Sequence, residues 1–259
     1  MCALALVAAG GLVTSNDAAL SVPDWPLSLG RLVPPLEGGI RYEFAHRVLA
    51  ALVALLAGVQ AFRTQARELR RWMRALAWWT LGAVLAQAVL GGVLVKLVDP
   101  KVLAIAHASL AQICFGLTVA VAAGHYPIHI AGKSLAPRLA VAALFVQTVL
   151  GAAVRHNAIG LASHIAGAIV AAAVVMWASM AILMQYMDDD KMRRPAVILL
   201  SLTAAQIFSG FAAYTAGAVT ADAPQPMPLM IWATVAHVVV GALVFGAAIM
   251  LAMSVGNSR

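Results

Sequence analysis

The residues with the most chemical promise in this chain are Tyr42-Glu43-Phe44-Ala45-His46-Arg47. They open an apolar run, Phe44 to Phe62, that is long enough to cross a membrane. Three ionisable side chains fall within five positions there, where hydrocarbon makes each of them costly. Residues three and four apart share a helix face, so Glu43, His46 and Arg47 meet near one end of the span. Three more histidines, His107, His164 and His237, lie in later apolar runs. An ionisable group inside a membrane is a functional candidate by default. A single such histidine can be explained as a hydrogen-bonded packing group, but four at matching positions argue against that.

Two opposed imidazoles define the available chemistry. His46 with His107, and His164 with His237, form two candidate bis-histidine sites. No carboxylate or thiolate lies in the span cores to complete a closed structural zinc site. Copper stays open, but an all-histidine copper site wants a third ligand. Haem iron suits a histidine pair, because the porphyrin supplies four nitrogens itself. Arg41, Arg47, Lys96, Lys101 and Arg155 fall on the same side of the membrane and can pair with propionates. Each can equally be an interfacial anchor. His125, His129 and His156 read as loop or interfacial residues without a role. Cys2 and Cys114, the only two cysteines, offer neither a disulfide framework nor a metal site.

The positioning elements are membrane helices. The 259 residues are 63% hydrophobic and only 10% charged, with mean hydropathy +0.92. A soluble domain would carry roughly a quarter charged residues, so the chain reads as an all-α polytopic protein embedded in a lipid bilayer. The net charge of +7 is a topology signal and not a nucleic-acid signal. Eight apolar runs span 2–15, 43–62, 76–95, 102–122, 138–154, 159–184, 196–219 and 229–253. The first is short for a span of about 20 residues; it reads as a first helix whose start lies upstream. One set of alternate loops, with the C-terminus, holds Arg63, Arg67, Arg70, Arg71, Arg74, Lys133, Arg138, Lys191, Arg193, Arg194 and Arg259. That is 11 of the 17 basic residues, which puts this side and both termini in the cytoplasm. The histidines then lie toward the outer side. Residues 16–41 form the longest outer loop, with Pro23, Pro26, Pro34, Pro35 and Gly38-Gly39 against a regular helix.

An internal repeat runs through the spans. Gln87 and Gly91, Gln147 and Gly151, and Gln206 and Gly210 each precede a run that carries one histidine. Gly10-Gly11 precede His46 without the glutamine. The Gln/Gly pairs read as a small-residue packing face. The expected organisation is two pseudo-repeated four-helix bundles, residues 1–122 and 138–259, joined by a cytoplasmic linker 123–137.

On Glu43-Phe-Ala-His46-Arg47, Leu20-Ser-Val-Pro23-Asp24-Trp25-Pro26, the early Gly-Gly and the four histidines, the chain resembles the haem A synthase family over nearly its whole length. The resemblance implies an oxidoreductase of the cytoplasmic (inner) membrane, serving assembly of a cytochrome oxidase. It would oxidise the C8 methyl of haem O to the formyl group of haem A through an alcohol. It implies haem b as cofactor on His164 and His237, the substrate haem on His46 and His107, and a need for Glu43 in turnover. It also implies a haem O synthase as supplier and an external electron donor, since no Gly-rich nucleotide motif occurs in a soluble segment. A homo-oligomer stays open; a nucleic-acid partner is not expected. Many family members carry a cysteine pair in the first outer loop, at positions corresponding to Val22 and Ser28 here. Two rival readings are a di-haem electron-transfer cytochrome and a haem exporter or chaperone. Glu43 separates the first of these, because an electron carrier has no need of a carboxylate one turn from a ligand.

Overall fold

The computed structural model describes residues 1–125, 130, 131 and 134–256. Lys133, Arg259 and His129 lie outside these residues. Among the described residues eight helices follow in order: α1 (Cys2–Ser15), α2 (Ile40–Arg67), α3 (Arg71–Lys96), α4 (Lys101–Gly124), α5 (Ala136–Arg155), α6 (Leu161–Gln185), α7 (Asp190–Val219) and α8 (Pro228–Ser254). The molecule is an all-α, multi-pass membrane protein. Helices α2 to α8 are long and apolar enough to cross a membrane. Helix α1 has 14 residues, about 21 Å at 1.5 Å per residue, against a hydrocarbon core of about 30 Å. A two-residue parallel pairing joins β1 (Ile130–Ala131) to β2 (Val255–Gly256).

Several helices outrun the apolar segments that announce them. Helix α7 starts at Asp190, six residues before the apolar run at 196. Asp189 caps it by accepting from the Lys191 amide, and Asp190 pairs with Arg193 at 2.8 Å. The cap and the acidic first turn satisfy a helix start, so the helix is already formed before it meets apolar sequence. Pro195 falls early in that helix. Between α2 and α3, Arg70 donates Nε and Nη2 to the two oxygens of Glu68, at 2.9 and 2.8 Å. These bonds hold the Glu68 carboxyl down at about 2.

Packing is cyclic within each half of the chain. Helix α1 lies against α2, α2 against α3, and α3 against α4, with α4 returning to α1. The later helices repeat the circuit from α5 through α8 and back to α5. Helix α8 also touches α1 and α4, and α4 touches α5. One apolar core joins Ala140, Val175, Ile182, Leu199, Val244 and Leu251 from all four later helices. A smaller one joins Val53, Ala57, Val84 and Cys114. The larger core sits toward the ends of α6 and α8 opposite their histidines, and the smaller one near the middle of α2 and α4. In lipid, such helices associate through close packing of small residues, as the many core alanines reflect.

Three odd helices end in the same way. Ala18 N donates to Val13 O, Asp99 N to Leu94 O, and Ala158 N to Ala153 O. The residue before each donor is left-handed: Asp17 (φ 50°), Val98 (φ 61°) and Asn157 (φ 53°). This is the six-to-one closure that satisfies the last helical carbonyls. A β-branched residue such as Val98 takes this conformation only where its surroundings impose it.

Where the halves meet, Gly116 of α4 faces Phe245 and Ile249 of α8. A Cβ at Gly116 falls 2.8 Å from Ile249 Cδ1 and 2.9 Å from Phe245 Cε1. Gly116→Leu is therefore expected to overpack this contact and cost about 1–3 kcal/mol. Thermal unfolding in detergent should show a lower midpoint; an unchanged midpoint would mean the α4–α8 contact yields freely.

Candidate functional site

The four histidines share one local construction. Each imidazole lies against a glycine of the preceding odd helix, so close that a Cβ on the glycine would strike the ring. The distance from that Cβ to Cε1 is 3.2 Å for Gly10 and His46, and 3.0 Å for Gly91 and His107. It is 3.0 Å for Gly151 and His164, and 2.9 Å for Gly210 and His237. The repeat seen in the sequence thus has a physical content. The glycine removes a side chain so that the Cε1 edge of a ring can approach a helix backbone.

His164 and His237 face each other with ring centroids 6.3 Å apart and planes at 84°. Metal–imidazole bonds of about 2.0 Å on either side of one ion bring two ring centres to about 6 Å, so the spacing fits a shared metal. His107 lies within electrostatic reach of both His46 and His156. Among the described residues, no three of His, Cys, Asp and Glu come together as a bare metal ion would require. The donor set therefore fits an ion that brings its remaining ligands with it, as haem iron does.

The two pairs differ in what holds the second ring nitrogen. His237 Nδ1 lies 3.1 Å from Ser209 Oγ. Ser209 spends its own proton on the Gln206 carbonyl at 2.9 Å, so its oxygen is left to accept from Nδ1–H. That tautomer makes Nε2 of His237 an acceptor, and the Gln206 amide nitrogen lies 3.3 Å from it. His164 Nδ1 lies 3.0 Å from Gln147 Nε2, which also donates to the His164 carbonyl at 2.9 Å. Gln87 donates to the His107 carbonyl at 3.0 Å. In contrast, Nδ1 of His46 and Nδ1 of His107 are buried without a partner. The sequence pattern pointed to the glutamines only as packing residues, and it gave no role to Ser209. The signal was available: Ser209 directly precedes the ring-seating Gly210.

Glu43 is buried, only 4% exposed, and both its oxygens are engaged. Oε1 accepts from Arg47 at 2.6 Å, and Oε2 accepts from the Val22 amide at 2.8 Å. Glu43 and Arg47 do form the i, i+4 pair expected of their spacing. Arg47 is not free for a propionate, because it also donates to the carbonyls of Val22, Asp24 and Leu27. Arg155 donates to Ser15 Oγ, Lys101 to the Asn157 carbonyl, and Arg41 to its neighbour Tyr42. Residues 16–39 form no helix. Within them Val22 and Ser28 are buried, and Asp24 accepts from the amides of Leu29 and Gly30 at 2.7 and 2.8 Å. His125 Nδ1 bonds the Val121 carbonyl, and burial holds the His156 imidazole below its usual value.

The chain is similar to haem A synthase of Symbiobacterium thermophilum, 28% identical over an alignment of 243 residues that covers 78% of each protein. It is also similar to haem A synthases of Beijerinckia indica, 32% identical over 45% of this chain and 36% of the relative, and of a Caulobacter species, 33% over 40% and 34%. These relatives share one name, and they support the chain's likeness to haem A synthases. No protein-family profile matches the chain.

The seating of His237 has a measurable consequence. Gly210→Ala should push the ring off its helix, and Ser209→Ala should release its tautomer. Outer partners of metal-bound histidines commonly contribute roughly 10–100-fold in affinity. Titration of the purified protein with ferric haem, followed by absorbance, should show losses of that size in both variants. Wild-type affinity in both would mean that His237 is not held by these residues.

The Asp24 turn makes a pH prediction. The amides of Gly30 and Leu29 hold the Asp24 carboxyl below its ordinary value of 3.8. A depressed carboxyl contributes order above the unfolded value and loses it as pH falls through the lower folded value. Hydrogen exchange at Leu29 and Gly30, corrected for intrinsic rate, should be steady from neutral pH down to that value and quicken only below it. Asp24→Asn should exchange fast throughout.

Proposed function

We propose that this protein converts haem O to haem A, oxidising the C8 methyl group first to an alcohol and then to the aldehyde. In this reading His164 and His237 hold a resident haem b in the 138–259 half, and His46 and His107 receive the substrate haem in the 1–122 half. What supports the division is the difference between the pairs. A ligand whose distal nitrogen is fixed by hydrogen bonds is oriented before the metal arrives and binds it more firmly. His237 has such a partner in Ser209. His46 and His107 have none on Nδ1, which suits a group that must enter, react and leave.

When bound, haem b supplies a one-electron relay between an external donor and the substrate site. The chain's own contribution is placement. The glycine seats fix the imidazoles, the apolar helices exclude water, and Glu43 puts a carboxylate one turn above His46 on the same helix. Glu43 is the residue proposed for turnover. The cytoplasmic membrane, with the Arg63–Arg74 loop inside and the histidines toward the outer face, is part of the same proposal.

The test is extraction and chromatography of haems from cells carrying wild-type or variant protein, beside a reduced-minus-oxidised spectrum of each purified variant. His164→Ala and His237→Ala should remove the haem b spectrum. His46→Ala and His107→Ala should spare it and abolish haem A. Glu43→Gln should keep haem b while haem A falls about a hundredfold or more, the size of a lost charge-stabilising group at a dry site. Equal loss of haem b from His46→Ala would overturn the pairing, and no haem A from the wild type would overturn the activity.

A further inference from the structure

We infer that the loop segment from Val22 to Leu27 is the outer wall of the His46/His107 site, and that Arg47 is the positioning residue that latches it there. The inference rests on the reading that this pair receives the substrate haem. It starts from the guanidinium. Arg47 Nη1 donates to Asp24 O at 2.7 Å and Leu27 O at 2.8 Å. Nη2 donates to Val22 O at 2.9 Å and Glu43 Oε1 at 2.6 Å. Glu43 Oε2 completes the ring by accepting from Val22 N at 2.8 Å. One side chain thus gathers three carbonyls spread over six residues, and Val22 is left fully buried. Only a planar fork with several fixed donors can do this; a lysine ammonium is a single point of charge.

The loop's other anchor is on α3. The Trp25 indole lies over Gly92, where a Cβ would fall 2.7 Å from Trp25 Cδ2. The preceding residue, Gly91, is the seat of the His107 ring. On α2, Glu43 and Arg47 flank His46 in the same way, three residues before it and one after. The segment therefore bridges α2 and α3 at the level of both histidines, closing the outer end between them. Trp25 remains 41% exposed, so its indole keeps open surface beyond the Gly92 contact. A flat aromatic at the rim of a macrocycle site is suited to contact the ring edge. The latch is local to α2 and the loop, and it shares no residue with the His164/His237 pair.

The experiment compares Arg47→Lys and Trp25→Ala with wild type in the purified, haem b-loaded protein. Hydrogen exchange is followed over residues 20–30, and steady-state turnover is measured with haem O as the added substrate. Arg47→Lys should keep the haem b spectrum and raise exchange over the loop. Its KM for haem O should rise about tenfold or more, with a smaller change in kcat. Trp25→Ala should raise KM without raising exchange at Val22, because the latch is intact. An unchanged KM in Arg47→Lys with a loosened loop would show that the segment is no wall and would overturn the inference. Loop exchange equal to wild type would show that Arg47 is no latch. If Arg47→Lys loses haem b by misfolding, Trp25→Ala decides alone, and an unchanged KM there overturns the wall. Failure of the underlying reading looks different: wild-type turnover would then be insensitive to His46→Ala and His107→Ala.

Discussion

An imidazole lying on a bare helix backbone is the contact on which the rest of this molecule depends. In a bilayer a polar ring has few comfortable places, since lipid offers it no hydrogen bond and neighbouring side chains leave it no room. A glycine on the facing helix provides the room, and it does so four times. Each such contact fixes the rotation of two helices about their axes, because the glycine and the histidine must be brought to the same point. The small alanines of the two cores then let the rest of the helices close up.

Much of this was legible in the sequence. The apolar runs gave the helices, and the spacing of Gln, Gly and His gave the repeat. The boundaries were less legible, because hydropathy reports where the chain crosses hydrocarbon and not where a helix starts. Helix α7 begins in charged sequence, where Asp189 and Asp190 supply the cap and the favourable first-turn charge. The sequence also could not distinguish two uses of one face. Glu43 and Arg47 were placed together correctly by the helical period, yet period says nothing of what approaches from a loop 20 residues earlier. The loop carbonyls that occupy Arg47 are backbone groups, and every sequence has those.

The unequal treatment of the two histidine pairs was hidden for a similar reason. All four rings have the same glycine seat, so pattern alone makes them equivalent. The difference lies in single hydroxyl and amide contacts: Ser209 is aimed at His237, Gln147 at His164, and nothing at Nδ1 of His46 or His107. The same glycine seat thus recurs beneath rings with different hydrogen-bond surroundings. The shared framework sets where a ring can sit, and a few hydrogen bonds set how firmly it is held.

Helix α8 has neighbours in both halves: α1 and α4 on one side, α5 and α7 on the other. It leaves the ribosome after the first four helices. The first four helices enter the membrane and find one another while the surface that α8 will cover still faces lipid, and domains assemble in that N-to-C order. Gly11 and Gly116, whose missing side chains admit Val235, Ile249 and Phe245 of α8, are during that interval a seam filled by acyl chains. Arrival of α8 is therefore an exchange of lipid for helix at this seam. The join between the two halves is set by a segment synthesised after the first half is already in the membrane.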